Sequence, residues 1–447
     1  MTLPPGPPGP ALVQSARLIR DPLGFLERCI KRYGDVFTVR FIGMGNLVYI
    51  ADPAILKEVF TGDPTVFHAG DANSFMEPIL GPRSLLLLDQ DEHLAERRLL
   101  LPPFHGEKVR RYADLVAEIV AREVERWPDG RAFGLRPRMQ AVTLEVILRA
   151  VFGIREAEQL ARLRDLIPRM LQQGDLLVWL PWAHRDLGPL SPWRRFMRVR
   201  NAVDELLFEE IRRRRALEDL EERDDVLSLL LQARDDEGRP MSDAALHDEL
   251  VTLLIAGHET TATGLAWAFE RLLRTPLVHR RLLAEVDAGE DDAYLDAVVR
   301  ETLRVRPVVY DVARLLTAPF SVRGWMLPAG TYVVPSITGV HLFTGLYEDA
   351  AEFRPERFLE GEAESYAWIP FGGGRRRCIG AAFATMEMKV AIREILSRVE
   401  LRAPEQAPER VKLHNVTLTP GNDTRVMVTA RRAGAEAGVA ARAAVTA

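Results

Sequence analysis

Cysteine is scarce in this sequence, which has only Cys29 and Cys378 among its 447 residues. Two cysteines close at most one bridge, so the dense disulfide framework of small secreted proteins is excluded. A reducing compartment suits such sparse usage better than an oxidising one. We therefore expect a cytoplasmic protein.

An excess of positive charge and long apolar runs are also missing. The net charge is −5 and the pI about 6.1, so nothing global indicates a nucleic-acid partner. The longest weakly charged stretch, residues 251–269, carries His258 and Glu259 at its centre, which argues against a membrane span. The opening residues MTLPPGPPGP contain no apolar core region, so we expect neither a signal peptide nor a membrane anchor.

The remaining composition, 47% hydrophobic and 28% charged residues, is that of a globular protein able to bury a large core. Helical patterns dominate. Strand-like segments flank residues 43–46 as a predicted hairpin and recur near residues 411–430, which predicts an α+β, mainly helical fold. We expect a proline-rich extended lead-in at residues 1–10, a single domain at 11–430 and a disordered Ala/Gly-rich tail at 431–447.

The longest predicted helix runs from residue 243 to 274, between a Ser242 cap and Thr275-Pro276. Such a helix is about 48 Å long, enough to cross the domain. Its centre, residues 256–261 (AGHETT), places an acid and hydroxyls in an apolar stretch, where an unpaired charge is costly to bury. One explanation is structural, because a threonine can bond the carbonyl one turn back and bend the helix. The other is a role in chemistry.

The stretch around Cys378 is the strongest candidate for chemistry. Gly372, Gly373 and Gly374 carry no Cβ and let the backbone approach a flat group closely. Cys378 precedes a predicted amphipathic helix at 381–399, where free N–H groups, the helix dipole and neighbouring arginines favour a thiolate. Such a thiolate is a nucleophile or a soft metal ligand, although a lone cysteine before a helix is more often a small buried hydrophobe. No matched base or second cysteine is evident for a nucleophile.

Phe371, Gly374, Arg376, Cys378 and Gly380 occur at the spacing F-x-x-G-x-R-x-C-x-G. This pattern resembles the haem-binding signature of the cytochrome P-450 family. The resemblance implies that family's fold, with the long central helix over the haem and a smaller β portion. It also implies that Cys378 is the axial thiolate ligand of the iron of haem b, and that Arg376 pairs with a haem propionate.

Residues 256–261 are similar to the oxygen-activation motif of the same family, A/G-G-x-D/E-T-T/S. By this resemblance, Thr260 would stabilise the activated oxygen and Glu259 would help relay protons to it. Gly257 would give dioxygen room. The motif favours the chemical explanation of the buried acid over the structural one.

Two further residues, His93 and Arg97, lie four positions apart on one face of a predicted helix. On a surface helix such a pair is usually only solvated. The family resemblance makes them partners of the haem propionates, with Arg314 as another. Two buried haem carboxylates do need cations, because burying an unpaired charge is costly.

Glu301 and Arg304 form an E-x-x-R pair, which is common by chance and normally a weak surface ion pair. Arg357 lies in a P-E-R-F segment like that of the family. The resemblance implies that these three residues form a buried structural network around the cysteine loop. One departure from the family is that Leu342 follows His341 where many relatives have arginine, which affects the local contacts of that loop.

The substrate-facing segments of the family fall on mostly apolar residues here. By resemblance, the candidate pocket residues are Phe75, Met76, Leu85, Leu253, Ala256, Val308, Val309, Val312, Val416 and Thr417. Residues 166–192 carry few charges and are either core or a mobile lid, two options that the sequence leaves open.

The resemblance implies a haem-thiolate monooxygenase that hydroxylates or epoxidises an apolar small molecule such as a fatty acid, terpene or steroid. The sequence contains no flavin- or iron–sulfur-binding region, so NAD(P)H electrons would come through a separate donor of the ferredoxin and ferredoxin reductase type. We expect an acidic donor to bind at Arg110, Arg111, Arg375 and Arg377. The alternatives are a haem-thiolate isomerase, dehydratase or peroxygenase, which the intact Glu-Thr pair disfavours, and a non-catalytic haem sensor.

Overall fold

The computed structural model of the protein describes residues 3–154, 156–179, 185–186, 188, 191–289, 292–361, 364–405 and 407–432. The helices are α1 (Ala11–Arg20), α2 (Pro22–Tyr33), α3 (Pro53–Thr61), α4 (Ala69–Ala72), α5 (Glu77–Leu80), α6 (Gln90–Leu100), α7 (Glu107–Arg111), α8 (Ala113–Glu125), α9 (Leu135–Val146), α10 (Ala157–Trp179), α11 (Pro192–Arg215), α12 (Val226–Gln232), α13 (Asp243–Arg274), α14 (Pro276–Ala288), α15 (Ala293–Val305), α16 (Ile337–Leu342) and α17 (Ala381–Arg398). The strands are β1 (Val36–Phe41), β2 (Gly45–Ile50), β3 (Phe67–His68), β4 (Ala132–Gly134), β5 (Arg314–Leu316), β6 (Phe320–Val322), β7 (Trp325–Leu327), β8 (Tyr332–Pro335), β9 (Val399–Arg402), β10 (Val411–His414), β11 (Thr417–Pro420) and β12 (Arg425–Arg431).

The largest sheet has the strand order β1-β2-β8-β5-β3. Its β1–β2 hairpin, predicted from the alternating segments on either side of residues 43–46, pairs Val36 with Ile50. Strand β8 is parallel to β2 and antiparallel to β5. Smaller sheets are formed by β10-β11, β4-β12-β9 and β6-β7. With the helices that surround them, these sheets confirm the predicted α+β, mainly helical fold.

Helix α13 is the centre of the helical part and has the predicted bounds. The Ser242 hydroxyl accepts a hydrogen bond from the Ala245 N–H at 3.2 Å, and the helix ends before Thr275-Pro276. Helices α9, α11, α15 and α17 pack around it, and the Trp267 indole donates to the Leu418 carbonyl of β11 at 2.7 Å. Among the described residues, no helix is long and apolar enough to cross a membrane.

Glu301 on α15 joins the helical part to the chain before the cysteine loop. Its carboxylate accepts from the Arg304 Nε at 2.7 Å and from the Arg357 Nε at 3.0 Å. Arg304 also donates to the His341 carbonyl, and the His341 Nε2 accepts from the Ile369 N–H, both at 2.9 Å. Glu301 and Arg304 are fully buried. Because breaking a buried ion pair costs about 3–5 kcal/mol, this network holds the loop that follows Ile369 firmly to α15.

The predicted ends of the domain differ in part from the structure. The lead-in lies against β1, since Thr38 donates to the carbonyls of Pro4 and Pro5 at 2.7 and 3.0 Å. Strand β12 extends to Arg431, and Arg432 pairs with Asp287 at 2.7 Å, so the tail predicted from residue 431 starts too early. Its remainder, residues 433–447, lies outside the described residues. Residues 166–192, which by sequence are either core or a mobile lid, are described in part. Helices α10 and α11 cover the two ends of this stretch, and residues 180–184, 187, 189 and 190 lie outside the described residues.

Candidate functional site

The cysteine loop is a tight turn that packs against α3. Gly372 and Gly374 have φ values of 68° and 60°, which favour glycine. A Cβ on Gly374 would lie 1.9 Å from the Phe60 carbonyl oxygen, so no other residue fits there. The Cys378 N–H donates to the Phe371 carbonyl at 2.9 Å and closes the turn. The predicted loop glycines are therefore required by the local packing as well as by any flat group.

The Cys378 side chain is accessible to solvent, although its sulfur lies deep within the protein. Burial raises the pKa of the thiol, and this outweighs the Gly380 N–H and the charges of Arg97 and Arg377, which lower it. These three groups are of the kind that the sequence predicts to favour a thiolate, but their effect on the pKa is smaller than that of burial. Since a coordinating thiol loses its proton to the metal, a bound cation would supply what the surroundings do not.

A group of cations lies beside this loop. The Arg314 guanidinium is 6% exposed, and burial, aided by Arg376, lowers its pKa to about 10. It donates to the carbonyl of its neighbour Ala313 at 2.8 Å and lies over the Phe60 ring at 5.8 Å. No carboxylate of the described residues pairs with it. A buried guanidinium without an acid partner is costly and indicates a site for an anion.

His93, on α6, faces the same cations. Burial, together with Arg376, Arg97 and Arg314, lowers the pKa of its imidazole to about 3, so it is neutral at pH 7. Arg97, one turn along α6, donates to the Arg377 carbonyl at 2.7 Å. The structure thus brings together the predicted residues His93, Arg97, Arg314 and Arg376 at the cysteine loop.

Arg376 has partners that the sequence did not predict. Its guanidinium donates to the Leu85 carbonyl at 3.1 Å, to the Leu88 carbonyl, and to the Asp89 carboxylate at 2.5 Å. Asp89 also accepts from the N–H groups of residues 69–71. As it stands, Arg376 is bound by protein acceptors, and Arg314 is the cation that lacks an acid. Asp89 precedes α6 at a position where an acid is typical of an ordinary helix cap, so this role could not be predicted from the sequence.

The centre of α13 presents its polar groups in different directions. The Thr260 hydroxyl donates to the Ala256 carbonyl at 2.6 Å. This is the hydrogen bond expected of a threonine that bends the helix. The Glu259 carboxylate accepts from Arg136 at 2.7 Å and from Gln140 at 2.5 Å, both on α9. Arg136 also pairs with Asp423 at 2.7 Å. The acid that the sequence leaves unpaired therefore has partners in the fold.

Gly257 has a packing role, and its role in making room for dioxygen stays a prediction. A Cβ at this position would lie 2.9 Å from the Ile147 Cδ1. Ile147 begins a π-helical turn, Ile147–Val151, directly after α9. Gly257 therefore lets α13 approach α9 closely. In contrast, a Cβ on Gly380 would meet nothing within 4 Å.

A further acid, Glu387 on α17, is missing from the sequence predictions. It is almost fully buried, and burial raises its pKa to about 8, while a hydrogen bond from Thr261 opposes the shift. Its Oε1 is buried without a hydrogen-bond partner in the described structure. At pH 7 the carboxyl is mostly protonated and lies next to the centre of α13. The signal that could have predicted this residue is an acid on the apolar face of the predicted helix at 381–399.

The candidate pocket residues come together in part. Val309 bridges to Thr417, the Leu418 N–H donates to the Val308 carbonyl at 2.7 Å, and Val308 lies near Gly264 of α13. Leu253 and Ala256 share the face of α13 that carries Thr260. Phe75 and Met76 lie in a 3-10 turn before α5, and α5 packs on α13. Leu85 is buried, and its N–H donates to the Glu249 carboxylate of α13 at 2.6 Å. Val312 and Val416 are half-buried beside the bridged segments.

The model of the family described as "Cytochrome P450" matches residues 4–426. The chain belongs to the cytochrome P-450 family. Among curated relatives, cytochrome P-450 135B1 of Mycobacterium tuberculosis is 47% identical over 442 residues, covering 97% of this chain and 92% of the relative. Cytochrome P-450 138 of the same organism is 39% identical over 430 residues, covering 96% and 97%. The solved structure of retinoic acid bound cyanobacterial CYP120A1 superposes with a TM-score of 0.82 at 25% identity, covering 95% and 99%.

Family membership confirms the predicted enzyme class and cofactor. This P-450 is a haem-thiolate monooxygenase, an oxidoreductase whose cofactor is protoporphyrin IX haem. Its own residues fit that group. An accessible thiol lies within the fold at Cys378, and Arg314 offers a buried positive charge that a propionate would neutralise. Which residues hold the cofactor remains a proposal, with Cys378 as the iron ligand and His93, Arg97, Arg314 and Arg376 beside the propionates.

Replacing Arg314 tests whether this residue contributes to haem binding or to the stability of the fold. In the haem-loaded Arg314→Gln protein we expect haem loss to a scavenging apoprotein to be about tenfold faster, since a hydrogen bond to a charged group contributes about 1.5–3 kcal/mol. The haem-free variant should unfold at the same or a higher urea concentration, because a buried unpaired charge is gone.

Arg306 is the matched control for this experiment. It is a half-buried arginine whose pKa is likewise lowered to about 10. It also donates to the carbonyl of its predecessor and lies over an aromatic ring, Trp267. Arg306→Gln should leave the rate of haem loss unchanged. Equal rates in both variants would contradict the assignment of Arg314.

Proposed function

We propose that this P-450 hydroxylates or epoxidises an apolar small molecule that binds between α13, the segment 308–312 and β11. The observation that carries the proposal is that Val308 lies beside Gly264, one turn from Thr260 on α13, while Val309 bridges to Thr417 of β11. The solved neighbour CYP120A1 has retinoic acid bound, a largely apolar ligand, which supports the same class. Such pockets are mostly apolar with a few placed polar groups.

The haem, when bound, supplies the activation of dioxygen, and the protein supplies orientation and protons. Cys378 would hold the iron from one side. Thr260 uses its own proton in the bond to the Ala256 carbonyl, so its oxygen lone pairs are left to accept a hydrogen bond from a proton donor. This arrangement makes the threonine a proton-organising group on the face of α13 that the substrate would contact.

Glu259 would serve as the source of these protons by leaving its partner. Arg136 contacts Glu259 through Nη1 and Asp423 through Nε, so it keeps one acid when Glu259 rotates away. Residual pairing with Asp423 lowers the cost of that rotation, since the guanidinium is never left without a carboxylate. Glu259 can thereby exchange between α9 and the solvent-accessible side of the helix.

Product formation by the purified enzyme tests this function. With surrogate ferredoxin and reductase, NAD(P)H oxidation should depend on an apolar substrate, and one atom of isotopically labelled dioxygen should appear in the product. Product formation from NAD(P)H without incorporation of labelled oxygen would contradict it.

Thr260→Ala should divert oxygen to hydrogen peroxide, because proton delivery loses its organiser. We expect haem content and reduction rate near those of the parent, with a several-fold fall in product per NAD(P)H consumed. Thr260→Ser keeps the hydroxyl and should restore coupling, whereas Thr260→Val keeps the branched shape and should not. Full coupling in the alanine and valine variants would leave only the helix-bending role.

We also propose that an acidic ferredoxin-like donor binds a basic patch formed by Arg110, Arg111, Arg375 and Arg377. All four side chains are exposed, while Arg376 between two of them turns inward. Helix α7 lies beside the start of α17, as the ring of Phe383 is 6.3 Å from Phe104 and 5.6 Å from Tyr112. Arg111 has one exposed partner, Asp224, at 3.8 Å, which offsets only part of the charge. Arg377 is bonded directly to Cys378, the shortest path to the site.

Reversing the charge of α7 tests this patch. Arg110→Glu with Arg111→Glu should slow reduction by an acidic ferredoxin about tenfold at low salt and weaken its dependence on ionic strength. Substrate binding should be unchanged. The control is Arg17→Glu with Arg20→Glu on α1, which changes the net charge equally at exposed positions elsewhere. Equal rates for the two double variants would contradict the proposal.

A further inference from the structure

The segment between α15 and β5 carries an acid among the apolar residues of the candidate pocket. Residues 308–314 are extended, with bridges from Val309 to Thr417 and from Asp311 to Ser336. The Val312 N–H donates to the Pro335 carbonyl at 3.2 Å. Asp311 therefore lies in the same bridged segment as Val309, two residues along the chain from this candidate pocket residue.

The Asp311 carboxyl is enclosed by protein and yet accessible. Its side chain is half-buried, while Tyr310 before it is buried. Burial raises the pKa of Asp311 to about 7, and the hydrogen bond from Tyr49 opposes the shift. The coexistence of an enclosed position and an accessible side chain is what a residue that lines an internal recess shows. The Cys378 thiol has the same two properties.

One protein group holds this carboxyl in place. The Tyr49 hydroxyl donates to the Asp311 Oδ2 at 3.0 Å, and the Tyr49 ring stacks on Phe37 with centroids 5.3 Å apart. Tyr49 is 1% exposed, so its hydroxyl is fixed by the core of the β1–β2 hairpin. Within the described residues, no other hydrogen bond reaches the carboxyl, and its second oxygen is open. An apolar side chain would fill this place at lower cost, so the acid calls for a ligand.

We propose that Asp311 is a specificity residue that accepts a hydrogen bond from a hydroxyl or ammonium group of the substrate. This inference rests on the proposed oxygenase function and narrows its substrate class. Because its pKa is about 7, the carboxyl is mainly ionised above that pH, where it only accepts hydrogen bonds and repels a second carboxylate. Among apolar substrates, those with one donor group, such as terpene alcohols or sterols, are therefore favoured over fatty acids. Tyr49 is the positioning residue of this subsite.

Binding of a matched series of ligands tests the inference. The haem-loaded enzyme is titrated with dodecanol, its methyl ether, dodecylamine and dodecanoic acid, and the spin-state change of the haem reports binding. An amine that binds the iron directly gives the distinct spectrum of nitrogen ligation. This binding mode can therefore be told apart from an ammonium group that binds at Asp311. We expect dodecanol to bind about tenfold more tightly than the ether, equivalent to about 1.4 kcal/mol, and the acid to bind most weakly.

Variants assign the preference to Asp311. Asp311→Leu should abolish the advantage of the alcohol over the ether and improve binding of the acid. Tyr49→Phe should reduce that advantage in part. Asp311→Asn keeps the shape but adds donor groups, so it should admit the acid, and it carries the test if the leucine variant is unstable. The control Val309→Ala should weaken all ligands alike.

Two results would overturn the inference in different ways. An unchanged preference for the alcohol in folded Asp311→Leu and Asp311→Asn, with normal spin-state changes, would overturn the role of Asp311 and leave the proposed function intact. A wild-type enzyme whose spectrum responds to none of the four ligands would overturn the apolar pocket itself and this subsite with it.

Discussion

Burial opposes ionisation on both sides of the haem site, at the thiol of Cys378 and at the guanidinium of Arg314. The described residues do not offset the cost of burial at either group, because Arg376 already pairs with Asp89 and no described carboxylate pairs with Arg314. Haem would meet both needs at once, since its iron would favour the deprotonated sulfur and its propionates would neutralise the cations. Much of the fold serves to keep these uncompensated groups where they are.

The Glu301–Arg304–Arg357 network holds the cysteine loop in position despite the cost of burying these groups. The network continues through His341 to Ile369, two residues before Phe371, so the position of the loop follows the position of α15. On the other side, α13 is held to α9 by Gly257 packing and by the Glu259–Arg136 pair. One helix thus fixes the ligand side of the site and another fixes the side where substrate would bind.

The sequence predicted the parts that depend on local pattern and on a dense motif. The hairpin at β1–β2 and the bounds of α13 follow from alternation, capping and proline. The partners of long side chains could not be predicted, because they join positions far apart in the chain. Arg136 finds Glu259 over 123 residues, Tyr49 finds Asp311 over 262, and Arg376 finds Asp89 over 287. The burial of Cys378 could not be predicted for a related reason, since burial is a tertiary property that competes with the local helix end.

Ligation of iron by Cys378 is the central claim, and the spectrum of the reduced, carbon-monoxide-bound protein tests it most directly. The account predicts the strongly red-shifted absorption band of thiolate ligation in the parent and its loss in Cys378→His. Cys29→Ser, which removes the buried thiol on α2, should keep the band. A band characteristic of histidine ligation in well-folded parent protein would contradict the account.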